Sequence, residues 1–452
     1  MNELLGRINF RQIIFRGKSY DQPFVETAID NLAVYLLKNI HSTSPFILFS
    51  AHNHIKTVIA FYAILKAGKI AVVLDPGTKV IELAEIIADV DPAAMIFINN
   101  DRTSFNYSNE IVFRNSRKGF KIKSDLTDVC TIAYTNAEDG YSKGVMLTWQ
   151  NLLSEIRAMI GSIRINKQTC VCTFLPLHHL YGLVVGTIVP TQAGISSLIT
   201  GLDILRIDKV IHEMEQSKVT HLYTVPSIYY ILSKIPGIEK ALPEVKEFFS
   251  GGIKLPGFIF EQFYNKTGNK IREGYGLTES SPTVAIDYLG DEPIRDSIGP
   301  VLRGCQIKIV DENNKECKPN VQGELCIKGD MVFKGYFNNE EATRQVLKDG
   351  WLYTGDWGKK DNKENLFYCG LKKNMYNVAG NNVYPKKMER LIHINPNVTS
   401  VKAYSEESVL QGQIVGAHIK LRNNSKKSQE QLKEWCIQNI NKTLLPRIWL
   451  FE

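Results

Sequence analysis

No Cys-x-x-Cys pair occurs among the eight cysteines of this 452-residue chain, so the commonest sequence mark of a structural zinc site is missing. Cysteines scattered through a chain of this length fit a reducing, cytoplasmic setting better than a disulfide framework. Cys170 and Cys172 fall on one face of an expected strand and are read as buried core thiols rather than a redox pair. Long apolar runs are also missing. Residues 173–202 carry no formal charge, but Pro176, His178, His179, Pro190, Thr191 and Gln192 interrupt them, whereas a spanning helix needs about 20 mainly apolar residues. Buried core is expected there, and no membrane span. The first residues, Met1 to Arg7, lack a basic region followed by an apolar stretch, so no secretory leader is expected. No repeat of 20–50 residues and no low-complexity segment is found.

Charge is balanced over most of the chain. From Lys372 to Glu452, 10 Lys and 3 Arg face 6 Glu, an excess of +7 that equals the net charge of the whole protein. No aromatic-interleaved basic stripe accompanies it, which argues against nucleic acid. A carrier-protein surface, a CoA phosphate or plain solubility all remain open for this region.

What is present is a strand–helix alternation. Phe46–Ser50, Ile70–Asp75 and Ala94–Ile98 read as short buried strands. His54–Ala67, ending at Gly68, and Glu82–Ala88 read as helices between them. Such an order implies parallel β-α-β units. The pattern returns at Val171–Leu175 and Thr220–Val225. After Gly299-Pro300 the texture shifts to short strands and turns, as at Gln306–Val310 and Gly323–Lys328. The expected architecture is α/β: a large N-terminal region, residues 1–370, of wound sheets flanked by helices with a β-rich subdomain at about 300–370, then a small mobile α+β C-terminal lobe, residues 371–452, with a hinge near Gly370–Asn374.

The strongest local signal is Arg272-Glu-Gly-Tyr-Gly-Leu-Thr-Glu-Ser-Ser-Pro282. Gly274 and Gly276 let the backbone pass close to a ligand. Tyr275 offers a flat face for a purine. Thr278 supplies a hydroxyl, and Glu279 a hard oxygen for Mg²⁺. Around it, Ser250-Gly-Gly-Ile-Lys-Leu-Pro256, Leu175-Pro-Leu-His-His-Leu-Tyr-Gly182, the run from Gly323 to Tyr336, Trp351-Leu-Tyr-Thr-Gly-Asp356 and Gly380-Asn-Asn-Val-Tyr-Pro385 occur as an ordered set.

From about Tyr20 onward that set resembles the adenylate-forming superfamily of acyl-CoA synthetases, peptide-synthetase adenylation domains and firefly luciferase. The resemblance implies a two-step reaction: a carboxylate attacks the α-phosphate of ATP to give an acyl-adenylate and pyrophosphate, then a thiol attacks the acyl carbon and expels AMP. It implies that Gly251 and Gly252 line the adenine pocket with Tyr275 and Gly276, that Asp356 accepts the ribose hydroxyls, and that Thr278 and Glu279 act at the phosphates, with Glu279 on Mg²⁺. It places His179 beside the acyl pocket, and Gly380 and Asn381 on the thiol tunnel for CoA or carrier phosphopantetheine. His178 and His179 are also readable as ordinary core or boundary residues, although for His179 the pocket reading is preferred. Tyr223, Tyr229 and Tyr230 are readable as acyl-pocket wall or as plain core.

Three departures stand out. The phosphate loop of the superfamily, Tyr-Thr-Ser-Gly-Thr-Thr-Gly-x-Pro-Lys-Gly, reads here Tyr134-Thr-Asn-Ala-Glu-Asp-Gly-Tyr-Ser-Lys-Gly144. Thr135, Gly140 and Lys143 survive as nucleotide contacts. Ala137 replaces a glycine, and Glu138 and Asp139 replace two hydroxyl donors. A carboxylate about 4 Å from a phosphate charge costs roughly 1–4 kcal/mol per unit charge. At the hinge Leu371 stands where an arginine is usual, leaving Lys372 as a point charge without a bidentate fork. The last residues, Lys442 to Glu452, resemble the segment that precedes the superfamily's catalytic-lysine motif, and no lysine follows them in this sequence.

Three functions are compatible with this pattern. One is an acid–thiol ligase that takes a small carboxylic acid, ATP, Mg²⁺ and CoA or an acyl carrier protein. Another is an acyltransferase that uses preformed acyl-CoA or acyl-adenylate without ATP turnover, since the departures fall on the ATP-dependent half-reaction. The third is a non-catalytic partner in a biosynthetic complex.

Overall fold

The computed structural model describes the chain apart from residues 1–3, 6–7, 100–104, 106, 108, 116–120, 136–139, 202–205, 243, 289–291, 373–375, 379–380 and 409–411, and apart from the side chains of residues 377, 381, 382 and 412. The fold is α/β, and the chain divides into two compact units. One comprises Met1–Pro76, Asp91–Ala133 and Val145–Gly370, the other Gly77–Val90, Tyr134–Gly144 and Leu371–Glu452.

An eight-stranded sheet in the first unit runs Ala285–Ile286, Ile271–Tyr275, Glu247–Ser250, His221–Thr224, Cys170–Thr173, Ser196–Ile199, Ile13–Phe15, Lys18–Tyr20. Its six central strands are mutually parallel, and the strand at each edge is antiparallel to its neighbour. Parallel strands are buried on both faces and so read as apolar runs rather than alternations. Cys172, Leu198, Leu222 and Phe248 line one face with Cys170, and the expectation of core thiols holds. Val171, Ile199, Tyr223 and Phe249 line the other. A seven-stranded sheet contains Phe46–Ser50, Ile70–Leu74 and Ala94–Ile96 in parallel, as the alternation implied. Helix Ile55–Lys66 joins the first two of these strands. His54 Nδ1 accepts from the Lys56 amide at its start, and Gly68 (φ +68°) follows its end. A third sheet holds Cys305–Val310, Gly323–Gly329, Trp351–Lys360 and Leu347–Lys348, paired antiparallel, with Leu366–Leu371 beside Trp351–Lys360.

Most of the uncharged stretch after Thr173 is core. Residues Tyr181–Ile188 form a π-helix, followed by the short α-helix Val189–Ala193. Gly186 brings this helix against Thr173, whose Cγ2 would lie 2.1 Å from an added Cβ. A larger residue would push the helix off the sheet. No helix among the described residues is long and apolar enough to cross a membrane.

The second unit has its own core, in which Val383, Met388, Leu391, Ala417, Ile419, Leu432 and Cys436 pack together, with Ile81 against them. Its sheet runs Asn381–Val383, Tyr376–Val378, Gly412–Leu421, Val398–Ser408, with Ile448–Phe451 parallel to Gly412–Leu421. Hinge residue Asn374 lies outside the described residues. Gly370 has φ +124°.

Candidate functional site

Ligands of open parallel sheets gather beyond the carboxyl ends of the strands. Three of the sequence landmarks lie there in the eight-stranded sheet. Pro176–His179 follow Cys170–Thr173, Gly251 and Gly252 follow Glu247–Ser250, and Gly276–Glu279 follow Ile271–Tyr275. Parallel register between these strands brings the three loops to the same edge.

Gly276 sits where no side chain fits. A Cβ there would lie 1.8 Å from the Pro282 carbonyl oxygen and 2.8 Å from Thr283 Cα, so the loop closes on itself through this glycine. A Cβ on Gly251 would meet the Tyr181 ring at 2.9 Å, which makes Tyr181 the wall behind that loop. Gly252 has φ +80°. Glu273 ties the loop to the neighbouring strand by accepting from the Leu255 amide at 2.9 Å.

Tyr275 donates its hydroxyl to Asp356 Oδ2 at 2.7 Å. Burial, reinforced by the Asp356 charge, holds the phenol far above its ordinary pKa, so it stays a donor. Asp356 is 3 % exposed and ends the segment in which Thr354 donates to Leu325 O and accepts from the Asp356 amide. The bond orients the carboxylate. Four lone-pair sites on a carboxylate leave acceptor capacity for two sugar hydroxyls. Glu279 is partly exposed in the short 3₁₀ turn Thr278–Ser280, and its Oε1 accepts from the Tyr336 hydroxyl at 2.8 Å. Among the described residues no group of three or more His, Cys, Asp or Glu could hold a metal ion. A lone carboxylate still suits Mg²⁺, which is commonly held by one or two carboxylates with substrate phosphates and water completing the shell.

His179 is exposed at the same edge, its ring 4.4 Å from that of His178. His178 is pushed down to about 3 by burial and by His179, and is neutral at pH 7, with Nδ1 3.7 Å from Asp75 Oδ1. Tyr223 and Tyr229 are fully buried core. Tyr223 stacks on Phe249 at 4.7 Å, and Tyr229 donates to Leu222 O and Phe249 O.

In the second unit Thr135 Oγ1 donates to Lys143 O at 3.5 Å, across the base of the altered loop. Glu138 and Asp139 lie outside the described residues. Gly140 (φ +88°) packs against helix Pro385–His393: an added Cβ would lie 3.1 Å from Lys386 O and 3.2 Å from Lys387 N. Two cations of that helix hold the segment. Lys387, 1 % exposed, pairs with Glu82 Oε1 at 2.6 Å and donates to Ser142 Oγ at 2.7 Å. Arg390 is bidentate to Glu85 at 2.6 and 3.1 Å, donates to Gly140 O, and lies 4.3 Å over the Tyr141 ring. These contacts join residues up to 305 positions apart, and no sequence motif announces them. Lys372 is exposed, Asn381 begins strand Asn381–Val383, and Gly380 lies outside the described residues.

Two buried acids beside the motif bear on pH. Burial raises Glu273 from 4.5 to about 7, and Glu155, which accepts from the Thr283 amide at 3.1 Å, rises in the same direction. An acid raised in the folded state contributes stability that is complete below its unfolded pKa and is lost as pH climbs through the folded one. For Glu273 the window is 4.5 to about 7. Urea unfolding should therefore show Glu273→Gln losing less stability than wild type between pH 5 and pH 8, with the difference about 3 kcal/mol or less. An unchanged pH slope would contradict the assignment.

Comparison with known proteins accords with this geometry. A sequence profile of the family described as AMP-binding enzyme matches residues 10–337. A long-chain-fatty-acid–CoA ligase of Escherichia coli O6:H1 is 26% identical over 471 positions, covering 88% of this chain and 80% of the relative. Among solved structures, an amide bond synthetase from Marinactinospora thermotolerans superposes with a TM-score of 0.86 at 19% identity, covering 100% of this chain and 95% of that one. A malonyl-CoA ligase with methylmalonyl-CoA and AMP bound gives 0.83 at 20% identity, covering 100% and 99%. At such identities the solved structures bear on the fold alone. The profile spans most of the chain, and with the ordered landmarks around Tyr275, Glu279 and Asp356 it places this protein in the AMP-binding enzyme family.

Proposed function

We propose that the protein activates a small carboxylic acid with ATP as an acyl-adenylate and passes the acyl group to a thiol, CoA or carrier phosphopantetheine. The observation that carries this reading is the Tyr275–Asp356 hydrogen bond, which presents an oriented, buried carboxylate beside the Gly276 turn. Asp356 takes the ribose hydroxyls and Tyr275 lends its ring to the adenine. Gly251 and Gly252 let the base approach the backbone, and Thr278 donates toward the α-phosphate. Glu279 would hold Mg²⁺, which when bound supplies neutralisation of phosphate charge. In the first step the acid's oxygen forms a bond to the α-phosphorus while the bond to pyrophosphate breaks. In the second, the thiol sulfur bonds to the acyl carbon and AMP leaves. Neither step needs a covalent intermediate on the protein, so positioning and charge stabilisation carry the rate.

Protein mixed with Mg·ATP, hydroxylamine and a panel of aliphatic, aryl and amino acids should yield one or a few acyl-hydroxamates. Asp356→Ala, which removes the ribose acceptor, should lower the yield at least about tenfold, the scale of losing a hydrogen-bonded charged partner. A blank panel with folded protein would sink the ATP-dependent reading.

One observation favours a second reading, acyl transfer from preformed acyl-adenylate without ATP turnover. The segment that should cradle phosphates is pinned at Gly140 and Ser142 to helix Pro385–His393. Acyl-CoA formed from added acyl-adenylate and CoA, alongside the blank panel, would select it.

A further inference from the structure

We propose that Tyr336 is the positioning residue that sets the Glu279 carboxylate for a divalent cation. The proposal rests on the reading of Glu279 given above.

Glu279 is held twice by one short segment. Its carbonyl accepts from the Phe333 amide at 2.9 Å, and its Oε1 accepts from the Tyr336 hydroxyl at 2.8 Å. The segment is itself braced. The Lys334 amide donates to Met146 O, and Gly335 and Tyr336 pair antiparallel with Met146 and Val145. The Tyr336 amide donates to Thr343 Oγ1 at 2.9 Å. Asn151 donates to Asp330 O and Val332 O at 2.7 and 2.8 Å, from the first turn of helix Trp149–Ser162. Tyr336 is 8 % exposed and its ring packs edge-on against Phe333 at 4.9 Å, so the phenol has little freedom to swing away.

The consequence is chemical. A glutamate on a surface turn samples many rotamers, and ordering them opposes cation binding. A phenol donor on one oxygen fixes the rotamer while the other oxygen stays open to a metal. Partners that orient a metal ligand from behind typically contribute about 10- to 100-fold in metal affinity. Phenylalanine at 336 keeps the ring and its packing and removes only the donor.

The probe is Mn²⁺, read by the electron paramagnetic resonance of free and bound ion with ATP present and no acid. ATP affinity in EDTA and the unfolding midpoint are read in parallel. Tyr336→Phe should weaken Mn²⁺ in the ternary complex about 10- to 100-fold, leaving metal-free ATP affinity and the midpoint near wild type. Glu279→Gln should weaken it at least as much, and Tyr336→Phe should add nothing in that background, because the tyrosine acts only through the carboxylate. Mn²⁺ affinity unchanged in Tyr336→Phe, with Glu279→Gln impaired, overturns the proposal and leaves Glu279 as ligand. Additive effects of the two substitutions also overturn it. Mn²⁺ affinity insensitive to Glu279→Gln overturns the reading of Glu279 together with the proposal.

Discussion

Lys387→Ala is expected to destabilise the unit that contains it by about 3–5 kcal/mol, the scale for removing one partner of a buried ion pair. Lys387 Nζ is enclosed by Glu82 Oε1 and Ser142 Oγ, and the Glu82 side chain is only 9% exposed. The other Glu82 oxygen has no hydrogen-bond partner among the described residues. Without the ammonium, a carboxylate is left in a site from which water is excluded, and its desolvation is no longer offset. The pair as a whole is another matter. Replacing both partners by apolar residues of similar size is often neutral or stabilising. The double variant Lys387→Met with Glu82→Leu should accordingly recover most of the loss. Urea unfolding of the two variants distinguishes the cases. A single variant near wild type would show that the pair is solvated and weak.

Gly276→Ala is expected to disrupt the turn that carries Tyr275, Thr278 and Glu279. The added methyl would meet backbone atoms of Pro282 and Thr283, which cannot swing aside as a side chain would. Overpacking of this kind costs about 1–3 kcal/mol, or displaces the loop. Displacement moves Tyr275, Thr278 and Glu279 together, so nucleotide affinity should fall at least about tenfold even where the protein stays folded. Gly161, in helix Trp149–Ser162 and outside the motif, supplies the control. An added Cβ there meets nothing within 4 Å, so Gly161→Ala should bind nucleotide close to wild type. Calorimetric titration of both variants with AMP checks the contrast. Equal binding by the two would show that the Gly276 turn does not shape the pocket.

These two positions also mark what the sequence made legible. Gly276 was readable because its need is local: a glycine inside a turn, flanked by residues of recognisable chemistry. The parallel strands were readable for the same reason, since Phe46–Ser50 and Ile70–Leu74 announce burial by composition. Lys387 was not readable. Its partner Glu82 lies three hundred residues earlier, and nothing in the run Pro385–His393 distinguishes a buried lysine from a solvated one. Tyr336 ended a recognised landmark, yet the target of its hydroxyl is 57 residues away, so the motif carried the residue without its role. Gly140 was expected as a phosphate contact, and the structure gives it a second reason to be glycine, the close passage of Lys386 and Lys387. The π-helix at Tyr181–Ile188 escaped because an uncharged, uniformly apolar stretch has no polar face from which to read a period. Its depth against Thr173 is fixed by Gly186, a contact visible only once the sheet is in place.

Whether the Tyr275–Asp356 site supports chemistry at the α-phosphate is the central question. The most direct measurement is acid-dependent exchange of labelled pyrophosphate into ATP, using the acid that the hydroxamate panel identifies. It reports formation and reversal of the adenylate without requiring the thiol step. Exchange is expected to depend on both acid and Mg²⁺ and to fall at least about tenfold in Asp356→Ala. Folded wild-type protein that binds AMP but shows no exchange with any acid would contradict adenylation by this chain.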